Sequence, residues 1–142
     1  MTRFIADVML GRLARLMRFN GYDVENDRTA RDPDLLRKAT RRTLLTKDRA
    51  LAASGKRKHV YLVQSVGAEK QLEEIRKEFP QRSNSTRCLV CNHPIRKVRK
   101  DKVRHLVPPF VYERQSEFYR CPHCRRVYWK GTHFDRMSRV RK

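Results

Sequence analysis

All four cysteines of the chain fall in two Cys-x-x-Cys pairs, Cys88-Leu89-Val90-Cys91 and Cys121-Pro122-His123-Cys124, after 87 residues that contain none. Each pair sets two thiolates on one tight turn, and two such turns supply the four soft ligands of a tetrahedral zinc. Two disulfides or a redox pair are the alternatives, and the knuckle spacing is poorly placed for the first of them. The metal therefore belongs to one C-terminal unit. The cysteine-free half must fold on a hydrophobic core of its own.

That half alternates short apolar runs with helical patterns. Phe4-Ile5-Ala6 reads as a strand ending at Asp7, followed by a helix in which Met9, Leu10, Leu13, Leu16, Met17 and Phe19 recur near the 3.6 period. Arg12, Arg15 and Arg18 occupy its opposite side, and Asn20-Gly21 ends it with Gly21 in a left-handed position. Tyr22-Asp23-Val24, Thr43-Leu44-Leu45-Thr46 and Val60-Tyr61-Leu62-Val63 read as further strands. Helices are expected from Asp32-Pro33, with Asp32 as N-cap, over Ala50–Ala53, and from about Glu69 to Phe79. Strands this short and apolar, separated by helices, imply a small parallel α/β sandwich.

The acids stand where such a sheet places its ligands, beyond the carboxyl ends of the strands. Asp7 ends the first strand, Asp48 follows the third, and Asp34 lies in the first turn of a helix; Asp27 and Asp32 are nearby additional acids. Clustered carboxylates offer the hard oxygens that suit Mg²⁺ or Mn²⁺. Helix capping is the competing explanation for each of Asp7, Asp32 and Asp48 taken singly.

Charge narrows the partner. The chain carries 35 Lys+Arg against 15 Asp+Glu, a formal net charge of +20, and the excess is concentrated late. Residues 1–80 hold 18 basic and 11 acidic side chains (+7), residues 81–142 hold 17 and 4 (+13). Such density favours a polyanion whose counterions are released on binding, which points to nucleic acid or the ribosome. Arg96, Lys97, Arg99, Lys100, Arg125, Arg126 and Lys130 surround the knuckles, with Tyr119, Tyr128 and Trp129 interleaved as candidate stacking platforms for unpaired bases. No amphipathic helix with an aromatic apolar face suits a membrane surface. No long apolar leader follows Met1-Thr2-Arg3, and nothing approaches ~18 consecutive apolar residues, so a cytoplasmic protein with no membrane partner is expected.

The 29 residues between Cys91 and Cys121 must carry strands of their own. The run Val98–Val103 is too basic for a core, and Pro108-Pro109 breaks the chain before Phe110-Val111-Tyr112. The expectation is a ribbon of short antiparallel strands pinned by zinc. It divides the chain into an α/β domain at 1–82, a zinc ribbon at 83–137 and a basic tail at 138–142, with Ser83–Thr86 as a polar linker.

Several stretches together resemble a PIN-like ribonuclease family, known as the C-terminal RNase domain of mutator-type 3′–5′ exonucleases and also found as small stand-alone proteins. They are Phe4-Ile5-Ala6-Asp7 through Arg15, Gly21-Tyr22-Asp23, Leu44 to Arg49, Cys88 to Asn92, Val107-Pro108-Pro109 with Tyr112-Glu113, Phe118 to Cys124, and Val127 to Phe134. The resemblance implies a PIN-like α/β domain fused to a zinc ribbon and metal-dependent RNA cleavage. It carries Asp7, Asp34 and Asp48 over as catalytic acids. PIN-like sites often add a fourth acid after the fourth strand, where Gln64-Ser65-Val66-Gly67-Ala68-Glu69 has none immediately. Ser65 could hold a metal-bound water there. The expected activity is a ribonuclease on structured or ribosomal RNA; the alternatives are a non-catalytic ribosome- or RNA-associated factor and, more weakly, a DNA-binding regulator.

Overall fold

Four runs of two to four residues form one parallel sheet: β1 (Phe4–Ala6), β2 (Val24–Glu25), β3 (Thr43–Thr46) and β4 (Val60–Leu62), in the order β2-β1-β3-β4. The computed structural model describes residues 2–26, 31–55, 59–81 and 85–131. Between the strands run α1 (Gly11–Phe19), α2 (Asp32–Lys38) and α3 (Arg49–Ser54), with α4 (Ala68–Glu78) after β4. Successive strand residues face opposite ways, so the sheet needs two apolar coverings. Phe4, Ala6 and Leu45 pack with Leu13 and Met17 of α1 and Leu72 and Ile75 of α4. Ile5 and Leu44 pack on the other side with Leu35 of α2 and Leu51 of α3. The result is a three-layer α/β/α sandwich.

The helix boundaries hold to within a residue or two. Gly21 takes φ 89°, the left-handed conformation that ends α1. The first helix of the second layer begins on Asp32 with Arg31 as its N-cap, one residue earlier than the expected Asp32 cap. Two expectations for α1 fail. Met9 lies in a short 3₁₀ turn (Val8–Leu10) and is 71% exposed, whereas Arg18 is buried at 7%. Helical period alone reads an arginine opposite the apolar stripe as solvated; Arg18 is instead covered by the C-terminal unit.

That unit is a second, antiparallel sheet of β5 (Arg96–Val98), β6 (Phe118–Arg120) and β7 (Val127–Tyr128), in that order. The long insertion also carries helical structure, a 3₁₀ turn (Lys100–Val103) and α5 (Pro109–Arg114). Pro109 opens α5 because a first-turn residue needs no N–H. Val103 is fully buried with Val107, Val111 and Phe118, against the expectation that Val98–Val103 is too basic for a core. Its valines point inward, while Arg99, Asp101 and Lys102 are exposed and Lys100 lies over the Tyr112 ring. Trp129 packs on this small core, as does Val98.

The ribbon joins the α/β half at the end of α1 and at strand β2. Arg87 N–H donates to the Arg18 carbonyl (2.8 Å) and the Thr86 hydroxyl to that of Phe19 (2.9 Å), both at the end of α1. Thr86 is thus part of the join rather than of a free linker; the tail 138–142 lies outside the described residues. Among the described residues no helix is long and apolar enough to cross a membrane.

Candidate active site and metal centre

The chain from β1 passes to β2 on one side, while β3 lies on the other side of β1. The strand order therefore reverses between β1 and β3, the place where open parallel sheets form a ligand crevice at their carboxyl edge. Asp7 and Asp48 stand there, joined by one side chain. Thr46, fully buried at the end of β3, donates its hydroxyl to Asp7 Oδ2 (2.9 Å) and accepts the Asp48 N–H on the same oxygen (3.0 Å). Asp7 is itself 6% exposed, its N–H bound to the Leu45 carbonyl. Asn26, just past β2, donates to the carbonyls of Ala6 and Asp7 (both 3.1 Å) and fixes the end of β1.

Asp48 also caps α3: its Oδ1 accepts from the N–H groups of Ala50 (2.9 Å) and Leu51 (3.1 Å). Asp7 makes no such cap bond. Among the described residues, Asp7 Oδ1 and Asp48 Oδ2 accept no hydrogen bond, so each acid keeps one oxygen for another partner. Asp34 stands apart, its carboxylate paired with Arg37 on the surface of α2. The four cysteines are the one group of three or more metal-type side chains that converges among the described residues, so Asp7, Asp34 and Asp48 do not form a closed cage. Asp27 lies outside the described residues, as does the side chain of Asp32.

The turn after β4 has an acid that linear sequence does not reveal. Glu74 reaches back from α4 to accept from the N–H groups of Gln64 (3.0 Å) and Ser65 (2.7 Å) and from the Tyr61 hydroxyl (2.7 Å). Burial opposes its ionisation, but these donors outweigh it and hold its carboxyl below the ordinary value. Lys47 (2.9 Å) and Gln71 (3.1 Å) both donate to the Ser65 carbonyl, so Ser65 is locked beside the crevice. A carboxylate ten residues away on a helix gives no spacing signal.

The cysteine centre meets the demands of a tetrahedral ion. All four Sγ atoms lie within 4.8 Å of one another, with Cys91–Cys121 at 3.3 Å and Cys88–Cys124 at 3.6 Å. Bonds of about 2.3 Å to zinc require edges of about 3.8 Å. All four are free thiols, which excludes the disulfide alternative in this structure. Tyr128 donates its hydroxyl to Cys88 Sγ (2.9 Å) and accepts the Leu89 N–H (3.2 Å). Its hydroxyl is thus engaged at the metal centre, which accounts for half of the aromatic pair β6 and β7 place opposite each other, Tyr119 and Tyr128. His93 and His123, one from each knuckle, stack outside the centre with ring centroids 4.1 Å apart.

Of the candidate RNA contacts, Arg96, Arg125, Arg126 and Lys130 are exposed. Lys97 pairs with Glu117 and Arg99 with Asp101, both at the surface, and Lys100 lies over the Tyr112 ring at 4.7 Å.

Neither a curated protein nor a solved structure matches the chain. A family model does, over residues 2–141, taking in the parallel sheet, the carboxylates at its carboxyl edge and both cysteine knuckles. With that match spanning nearly its whole length, the chain belongs to the Mut7-C RNAse domain family.

Proposed function

We propose that this protein is a divalent-metal-dependent ribonuclease, with Asp7 and Asp48 as its central acids and structured or ribosomal RNA as its substrate. Family membership supports a ribonuclease-type function in general. The observation that carries the finer reading is the Thr46 hydroxyl, which binds the Asp7 carboxylate and the Asp48 N–H at the switch point, while among the described residues each acid keeps one oxygen without a hydrogen bond. Two hard carboxylates without a closed protein cage suit Mg²⁺ or Mn²⁺, which bind through one or two carboxylates, waters and substrate phosphates. Such an ion, when bound, supplies an activated water and charge stabilisation at the scissile phosphate. The chain's own part is to hold Asp7 through Thr46 and Asn26, to fix Asp48 on the α3 N-terminus, and to keep Ser65 in place through Lys47, Gln71 and Glu74. Asp34 would join from the first turn of α2 once substrate competes for Arg37, with Asp32 and Asp27 as the additional acids.

In the same reading the cysteine centre holds structural zinc, because four thiolates close the shell and leave no position for water. Arg96, Lys97, Arg99, Lys100, Arg125, Arg126 and Lys130 contact phosphates, and Tyr128 supports them from the metal side. The protein works in the cytoplasm.

The test is RNA cleavage with Mg²⁺ or Mn²⁺ by wild type and Asp48→Asn. Asparagine still caps α3, so the fold survives while a hard ligand is lost. Activity should fall on the order of 100-fold or more, since loss of a mere outer partner of a metal ligand already costs about 10–100-fold. Equal cleavage by both proteins rejects the assignment. The capping bonds of Asp48 favour one second reading, a non-catalytic RNA- or ribosome-associated factor. Ribosome co-sedimentation that persists in Asp48→Asn, with no cleavage by either protein, would establish that instead.

A further inference from the structure

Strand β2 forms one edge of the parallel sheet and is two residues long. Its Val24 is paired with Phe4 on one side, so the N–H and C=O of Val24 face outward and need partners. Neither is left to water. Asn92 Oδ1 accepts the Val24 N–H (3.0 Å), and Arg18 Nε donates to the Val24 carbonyl (2.9 Å). Asn92 Nδ2 then donates to Asp23 Oδ1 (2.7 Å), where Arg42 also binds (2.7 Å). Arg18 continues into the first knuckle and donates to the carbonyls of Leu89 (2.7 Å) and Val90 (3.4 Å), between the two cysteines. One asparagine and one arginine thus stand in for the missing neighbouring strand.

We propose that the first cysteine knuckle is the cover of the β2 edge, so that metal in the four-thiolate centre sets the stability of the parallel sheet and, through β2, of the Asp7 end of β1. Asn92 directly follows the ligand Cys91 and has φ 71°, a left-handed conformation held by the metal turn. A unit this small cannot keep four thiols packed without the ion. When the ion leaves, the turn relaxes, Asn92 swings out, and both outward groups of Val24 lose their partners. Arg18 loses a counter-charge as well, since a divalent ion in four thiolates is net negative and faces its guanidinium. At the other end of β2, Asn26 holds the carbonyls of Ala6 and Asp7, so slack in β2 reaches the candidate carboxylates without any contact between the two metal sites. The coupling stands whether or not the chain cleaves RNA.

The test uses the full zinc-loaded chain and reads amide hydrogen exchange rather than activity. Chelation should speed exchange at Val24 and across β1 and β2 about tenfold or more, as loss of a buried hydrogen bond implies, and zinc alone should restore protection. Asn92→Ala should keep one zinc per chain, show fast exchange at Val24 with the metal present, and change little on chelation. The inference is overturned if chelation unfolds the ribbon, as reported by Trp129 fluorescence, while β1 and β2 keep their protection. It is equally overturned if Asn92→Ala responds to zinc as wild type does. The wild-type comparison needs no variant, so poor folding of Asn92→Ala leaves a decisive result.

Discussion

The two cysteine knuckles have the same backbone and opposite uses. In each, the N–H of the first cysteine donates to a carbonyl five residues on, Cys88 to His93 (2.7 Å) and Cys121 to Arg126 (2.9 Å). In each, the residue after the second cysteine donates back to the first, Asn92 to Cys88 and Arg125 to Cys121, both at 2.9 Å. Those two residues have φ 71° and 70°. The Cys-x-x-Cys turn therefore dictates the backbone at both places and leaves the side chain at the left-handed position free to vary. Asparagine there is 8% exposed and turned into the parallel sheet; arginine there is exposed to solvent. One knuckle faces the protein and the other faces solvent.

If the knuckles are equal as metal turns, breaking either should have the same large effect. Cys88→Ser and Cys121→Ser should each abolish stoichiometric zinc binding and unfold the ribbon, because metal binding supplies most of its folding free energy. Metal titration and Trp129 emission check this, and a variant that binds zinc with wild-type affinity contradicts it. The side chains should then separate the two. Asn92→Ala leaves the Val24 N–H unsatisfied and should destabilise the chain by about 2–3 kcal/mol. Arg125→Ala should stay within about 0.5 kcal/mol, as expected for an exposed site. Urea midpoints of the two zinc-loaded variants measure the difference, and equal midpoints would erase the distinction.

Acid should loosen the inward knuckle first. Burial opposes ionisation of Asp23, but hydrogen bonds from Arg42 and Asn92 and the charges of Arg42 and Arg87 outweigh it, holding its carboxyl below the ordinary value. A depressed folded-state value stabilises above the unfolded one, and the contribution is lost as pH falls through the folded one. Below about pH 4 wild type should thus lose stability more steeply than Asp23→Asn, in which the titrating group is gone, acid release of zinc from the thiolates being common to both proteins. Parallel pH profiles would show that Asp23 does not clasp the knuckle.

The sheet, its helices and the metal turns were legible because each is local: period, caps and cysteine spacing lie within a few residues. Asp48 is the expected cap of α3, and its backbone N–H also shares the Thr46 hydroxyl with Asp7. What stayed hidden are side chains that act across the chain. Arg18 looked like one more cation on a solvated helix face, and nothing within α1 says that the Val24, Leu89 and Val90 carbonyls converge on it. Glu74 lies within the helical stretch Glu69–Phe79, and only the fold returns it to the turn after β4. Asn92 had a signal that could have been used: a non-glycine residue able to adopt positive φ directly after Cys-x-x-Cys.

The smallest expected effect is also the sharpest on the comparison. Arg125 holds φ 70° with a Cβ that the left-handed region penalises by about 1–2 kcal/mol. Its backbone carbonyl is bound by Arg120 Nε (2.9 Å), which needs no Arg125 side chain. Arg125→Gly removes the Cβ strain but adds unfolded-state freedom worth about 0.5–1 kcal/mol, so a net gain of about 0.5 kcal/mol is expected. Asn92→Gly removes the same kind of strain and should nonetheless lose stability, because the bonds to Val24 and Asp23 go with the amide. Opposite signs in paired thermal melts would show that one backbone turn has been given two tasks by a single side chain. Equal signs would mean that metal geometry alone decides both.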